Sequence, residues 1–250
     1  MNICVFDTET VSISNPFCYD IGLIIYNTDT NNIEFTKNWI VEQVWHNLPL
    51  FYSSYFFEKR KIYISMLKGR KIKLDKYGYI MRDISKIFNF FNVNSVYAYN
   101  SDFDVRVFNY NCDWYKTQNP IEEKPVFDIR KYAIKTLSHD LDFQKFCDKN
   151  KRITDGYHYS TTAENIYSYI TQNKDFVEEH TALKDSYIEL EILLYCLNKG
   201  CILNTQYNVK NSIEVPHKRT LYLTDVNNNK YIFSCNKIII SKNKEKILLK

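Results

Sequence analysis

The sequence predicts an α/β fold organised around a buried N-terminal strand, and three observations predict it. Ile3-Cys4-Val5-Phe6 is an apolar, partly β-branched run that ends in Asp7-Thr8-Glu9, the pattern of a buried central strand. Val96-Tyr97-Ala98-Tyr99 is a second short strand; it passes through Asn100-Ser101-Asp102 into Phe103, Val107 and Phe108 at helical spacing. The third is an amphipathic helix opening at His180-Thr181-Ala182 and running to about Asn198, with Gly200 as its stop.

The remaining elements follow in chain order. Ile21 to Tyr26, the polar cluster Asn27 to Asn32, and the alternating run Glu34 to Ile40 read as a β-hairpin over 20–40. Residues 41–78 interleave aromatics (Trp45, Phe51, Tyr52, Tyr55, Phe56, Phe57) with Lys59-Arg60-Lys61 and read as a helical insertion. Such a mixture suits either base stacking or a helical cap with snorkelling lysines. Ile80, Ile84, Ile87, Phe88 and Phe91 carry helical spacing, and 126–148 reads as further helix. Thr161-x-x-Glu164 has the form of a capping box for a helix through about Ile170. Beyond residue 203, Leu221 to Thr224 and Tyr231 to Phe233 flank a turn, and Ile238 to Ile240 and Ile247 to Leu249 suggest two more strands. The expected division is a body of 1–203 and a small β-rich appendage of 204–250.

Composition narrows the class. At 250 residues with 45% hydrophobic and 16% aromatic content, the chain can build one sizeable core plus an appendage and is not disordered. Its five glycines lie far apart, which excludes a P-loop and a G-x-G-x-x-G loop. Seven scattered cysteines without a C-x-x-C pair suit reduced thiols rather than a disulfide framework or zinc site. With no basic-apolar leader and no apolar run near 18 residues, the expectation is a soluble, cytoplasmic protein with no membrane partner. Residues 201–250 hold nine Lys/Arg against three acids, a net +6 that leaves −2 for the rest of a chain of +4. A basic tail on a near-neutral body suits a polyanion, or simply solubility.

The acids carry the chemistry. Side chains alternate along a strand, so Asp7 and Glu9 share a face, roughly 6–7 Å apart. Paired carboxylates beside a core repel and cost desolvation energy; a divalent cation relieves both, and magnesium or manganese prefers oxygen ligands. A lone D-x-E is equally the mark of a strand end meeting water. Asp185, however, shares a helical face with Ala182, Ile188 and Ile192 and needs a partner there, which a metal shared with Asp7 and Glu9 would supply. His180 at the helix mouth can reach the same cavity.

VFDTET (Asp7, Glu9), YNSDFD (Asn100, Asp104) and HTALKD (His180, Asp185) resemble, in order, the three signature stretches of the DEDDh exonucleases, the family of the proofreading epsilon subunit of DNA polymerase III. The spacer and β tail look more like stand-alone phage-encoded members. The resemblance implies a ribonuclease-H-like mixed sheet of about five strands with helices on both faces. It further implies two magnesium or manganese ions held by Asp7, Glu9, Asp104 and Asp185, with His180 as the general base of 3′→5′ phosphodiester hydrolysis. Thr8, Thr10 and Asn100 match positions that seat the terminal nucleotide.

Two departures stand out: Thr10-Val11-Ser12 replaces a common Thr-Thr-Gly, and Asp102 competes with Asp104 as the ligand. The partner implied is nucleic acid with a free 3′ end, single-stranded DNA by preference. RNA, short oligonucleotides, or binding without cleavage are the alternatives, and a polymerase partner or self-association stays open. His139-Asp140-Leu141-Asp142 reads as a solvated helix face, Asp128 as a helix start, and His158 and His217 lack ligand partners at helical spacing. Glu178-Glu179 is expected to raise the pKa of His180.

Overall fold

A computed structural model describes residues 1–216, 219–224 and 230–235. Strand β1 (Asn2–Thr10) lies inside a six-stranded mixed sheet. It pairs antiparallel with β2 (Cys18–Asn27), which pairs antiparallel with β3 (Asn32–Val41). The chain then leaves the sheet for α1 (Glu42–His46), α2 (Leu48–Tyr52), a 3-10 turn at Phe57–Lys59 and α3 (Arg60–Lys68). It returns as β4 (Lys73–Asp75), parallel to β3. Helix α4 (Tyr77–Phe90) crosses over to β5 (Val93–Ala98), parallel to β1, and α5 (Ser101–Tyr115) leads to β6 (Val126–Asp128), parallel to β5. The order is β4-β3-β2-β1-β5-β6. This is the ribonuclease-H-like mixed sheet, with six strands rather than about five.

The period-two alternation of β1 explains why the sheet is covered on both sides. Cys4 and Phe6 join a core with Leu23, Trp39, Ile84 and Phe108, while Ile3 and Val5 join another with Tyr97, Ile134, Phe143 and Leu193. The second layer is α6 (Ile129–Leu137), α7 (Leu141–Lys149), α8 (Ala163–Ile170) and α9 (Ala182–Asn198). Continuing the alternation, Asp7 and Glu9 fall on the α9 side.

The continuous helix expected over 126–148 is instead β6, α6 and α7. Asp128 caps α6 by accepting from Arg130 N (2.9 Å), and Asp140 caps α7 by accepting from Asp142 N (2.9 Å) and Phe143 N (3.1 Å). The capping box also shifts by one: Thr162, not Thr161, caps α8 through Asn165 N, and Glu164 accepts from Glu178 N (3.1 Å). Within the body, β7 (His158–Tyr159) pairs with β8 (Ile213–Glu214) from beyond residue 203, and Ile213 sits in the α9-side core. Strands β9 (Arg219–Thr224) and β10 (Lys230–Cys235) form an antiparallel hairpin. The strands expected at 238–240 and 247–249, and His217, lie outside the described residues. No helix among the described residues is long and apolar enough to cross a membrane.

Candidate active site

The site forms at the carboxyl end of β1. Asp7 stands opposite Gly22 and Glu9 opposite Asp20 in the β1–β2 register. Gly22 is where α9 comes down: a Cβ there would lie 2.2 Å from Leu183 N and 2.3 Å from Ala182 C. The missing side chain lets the first turn of α9 rest on β2, and Ser186 Oγ donates to Gly22 O (3.3 Å). That approach carries Asp185 to Glu9. A carboxylate oxygen from each of them and an imidazole nitrogen of His180 all lie within 4.8 Å of one another.

Asp104 arrives from the first turn of α5. It is 2% exposed, whereas Asp102 is solvent-exposed, so burial separates the two candidates. Thr8 Oγ1 donates to Asp104 Oδ1 (2.7 Å), which orients that carboxylate. Asn100 precedes the helix in the left-handed region (φ 60°), exposed, with its N–H donating to Asp128 Oδ1 (2.9 Å). Asp128 thus links the start of α6 to the start of α5. Thr10 Oγ1 donates to Ser12 O (3.3 Å), inside the departing loop.

Two buried acids belong to the same neighbourhood and went unread in the sequence. Glu189, 4% exposed, sits one turn beyond Asp185 on α9 and pushes up Asp7. Asp20, wholly buried, accepts from Tyr63 OH (2.7 Å), Ala182 N (3.0 Å) and Asn38 Nδ2. The i, i+4 spacing of Asp185 and Glu189 was a usable signal; Asp20 at the head of an apolar strand was a weaker one.

Electrostatically the cluster is short of positive charge. Burial, then Glu189, Asp104, Asp185 and Glu9, drive the Asp7 carboxyl well up. Burial and Asp185 raise Glu9, and burial, Asp104 and Asp185 raise Glu189. Asp104 is pushed up to about 7 by burial, against the bonds from Thr8. Asp185 is pushed up to about 8 by burial and Glu178, against Lys59. Asp185 Oδ1 and Glu189 Oε2 are buried without a hydrogen-bond partner. Orphaned, buried hard-oxygen donors that resist ionisation fit a divalent cation of the magnesium or manganese type.

His180 runs against expectation. Burial and then Lys59 lower its pKa against an opposing pull from Glu164, although Glu178 lies 3.6 Å from Nδ1. The Glu178 carboxyl is itself pushed up to about 7, chiefly by burial. An open basic groove of about 460 Å³, lined by Lys37, Arg70, Lys71 and Leu183 among others, lies on the β3–β4 side of the α9 start rather than at the carboxylates.

No protein-family model matches the chain, and no curated protein does. Solved structures do. The nuclease domain of 3′hExo, a DEDDh family member bound to rAMP, superposes with a TM-score of 0.50 at 15% identity, over 80% of this chain and 93% of that one. A full-length 3′-exonuclease gives 0.50 at 15% identity over 80% of this chain, which spans 61% of that protein. E. coli Exonuclease I with a dT13 oligonucleotide gives 0.47 at 13% identity, over 80% and 41% of the two chains. At such identities the first two likenesses establish a shared fold.

Proposed function

We propose that the protein is a metal-dependent 3′→5′ exonuclease of the DEDDh type, similar to stand-alone phage-encoded members, acting preferably on single-stranded DNA. One observation carries the reading. Glu9 and Asp185 converge with His180, the Asp7 carboxyl beside them is repelled by Asp104 from α5 and by Glu189 and Asp185 from α9, and two of the buried acids keep an orphaned oxygen. A structural core gains nothing from gathering mutually repelling carboxyls. Asp7, Glu9, Asp104 and Asp185 would hold two divalent ions. When bound, such ions neutralise charge on the scissile phosphodiester and acidify the attacking water.

His180 would accept that water's proton. Its lowered pKa favours the neutral, proton-accepting imidazole at pH 7. Thr8, Thr10 and Asn100 would seat the terminal nucleotide, and the Thr8 hydroxyl also orients Asp104. Residues 204–250 would serve as a basic appendage to the body, and the scattered cysteines, free among the described residues, suit work in the cytoplasm. The likeness to a nuclease bound to rAMP favours RNA ends as the second reading.

The test is digestion of 5′-labelled single-stranded DNA and RNA with magnesium, manganese or EDTA, by wild type and Asp7→Ala. A metal-dependent ladder shortening from the 3′ end, absent in the variant, is the expected result. No cleavage of either polymer with any metal would overturn the proposal.

A further inference from the structure

We propose that Phe56 and Lys59, in the segment between β3 and β4, are positioning residues that clamp the His180 imidazole against the carboxylate cluster; the inference rests on the reading of His180 as general base. His180 needs such a device. It precedes α9 in the left-handed region (φ 50°), a strained conformation for a non-glycine residue that persists only where its surroundings hold it. Its side chain is about one-third exposed, so the core alone does not fix its rotamer.

The clamp has two contacts on His180 and two anchors behind them. The Phe56 ring stacks on the imidazole, with centroids 4.4 Å apart and planes 20° from parallel. Lys59 Nζ donates to the His180 carbonyl (2.9 Å) and lies 3.9 Å above the Phe56 ring, so one cation braces both the backbone and the stacking partner. Arg60 seats its guanidinium 3.9 Å over the buried Trp45 ring, fixing the turn to the core. Tyr63 OH and Ala182 N donate to the same oxygen of Asp20, which ties α3 to the residue two beyond His180.

The direction of the clamp matters. While stacked on Phe56, the imidazole keeps a nitrogen within 4.8 Å of carboxylate oxygens of Glu9 and Asp185. The contact therefore holds His180 at the cluster rather than away from it. Glu178 also faces the ring, with Oε2 3.6 Å from Nδ1, and its N–H donates to Glu164. A general base displaced by about 1 Å can forfeit up to about 100-fold in rate, and that loss is what the stacking and the lysine prevent.

Phe56→Leu and Lys59→Met should each lower kcat about 10- to 100-fold on a 5′-labelled oligonucleotide with KM changed less than about threefold. Phe56→Tyr, which keeps the stack, should restore kcat to within about threefold. In a His180→Ala background, Phe56→Leu should cost nothing further, the coupling expected of a residue acting through another. Independently of activity, the His180 ring protons should show an upfield ring-current shift in NMR spectra that Phe56→Leu abolishes and Phe56→Tyr retains. A rise in KM at constant kcat, or an equal loss in the His180→Ala background, would make Phe56 a direct substrate contact and overturn the clamp. So would His180 ring protons that ignore Phe56→Leu. Should the wild type cleave no substrate, the exonuclease reading fails, and the NMR comparison still decides whether Phe56 holds the imidazole.

Discussion

Replacing Gly22 with alanine tests whether the α9–β2 approach assembles the cluster. The added Cβ would stand 2.2 Å from Leu183 N, 2.3 Å from Ala182 C and 2.4 Å from Leu183 Cα, against about 3.4 Å for an ordinary contact. All three are backbone atoms, so no rotamer change can absorb the deficit of about 1.2 Å, and the start of α9 must move by about that much. Overpacking of this kind costs about 1–3 kcal/mol, or about 2–12 °C in Tm for a chain of this size. The same displacement carries Asp185 and His180 off Glu9. Manganese affinity measured by titration calorimetry should then fall at least tenfold, and any exonuclease rate by up to about 100-fold. A Gly22→Ala protein that melts within 1 °C of wild type and binds manganese within about twofold would refute the reasoning, because α9 would then not be set by its contact with β2.

Gly78→Ala should have the opposite sign. In the first turn of α4 a Cβ meets only the Thr117 side chain at 3.7–3.8 Å, so a stabilisation of about 0.5–1 kcal/mol should appear as a higher Tm. Asp20→Ala leaves Tyr63 OH and Ala182 N without their acceptor and removes one of the two acceptors of Asn38 Nδ2; a loss of about 3 kcal/mol, read by urea denaturation, is expected. The metal-free protein should lose stability as pH rises. Asp104 and Asp185 are pushed up from 3.8 to about 7 and about 8, so the native state holds protons that the unfolded chain has released. Their contribution is full below about pH 4 and is lost through about pH 8, and saturating magnesium should flatten the slope. Glu189→Gln removes one of the charges that raise Asp7 and should raise the metal-free Tm at pH 8, with little effect at pH 5.

Much of this site was legible because its acids sit where periodicity is strong. Asp7 and Glu9 close an apolar run whose period of two assigns them one face, and the helical stripe of α9 brings Asp185 inward. Less was legible where elements are short or the partner is remote. Lys73-Leu74-Asp75 has one apolar residue and no period, so the sixth strand left no trace. Val126-Phe127-Asp128 is as short, and its apolar residues merged with the helices that follow. Glu189 and Asp20 each interrupt an apolar run with one acid, and only the fold reveals that Glu189 acts on Asp7 and Asp20 on Glu9. The stacking of Phe56 on His180 joins residues far apart in the chain through a turn with no regular pattern.

The departure at Val41 and the return at Lys73 happen on neighbouring strands, with Trp39 beside Lys73 and Val41 beside Asp75. Residues 42–72 are therefore a cassette plugged into a closed doorway at the sheet edge. Once the doorway is paired, lengthening such an excursion is cheap, since doubling a flexible loop adds only about 0.6 kcal/mol of closure entropy. The carboxylate floor, drawn from β1, α5 and α9, has no such freedom, because those elements also build the core. A chain built this way can renew what surrounds its histidine without disturbing the carboxylates beneath it.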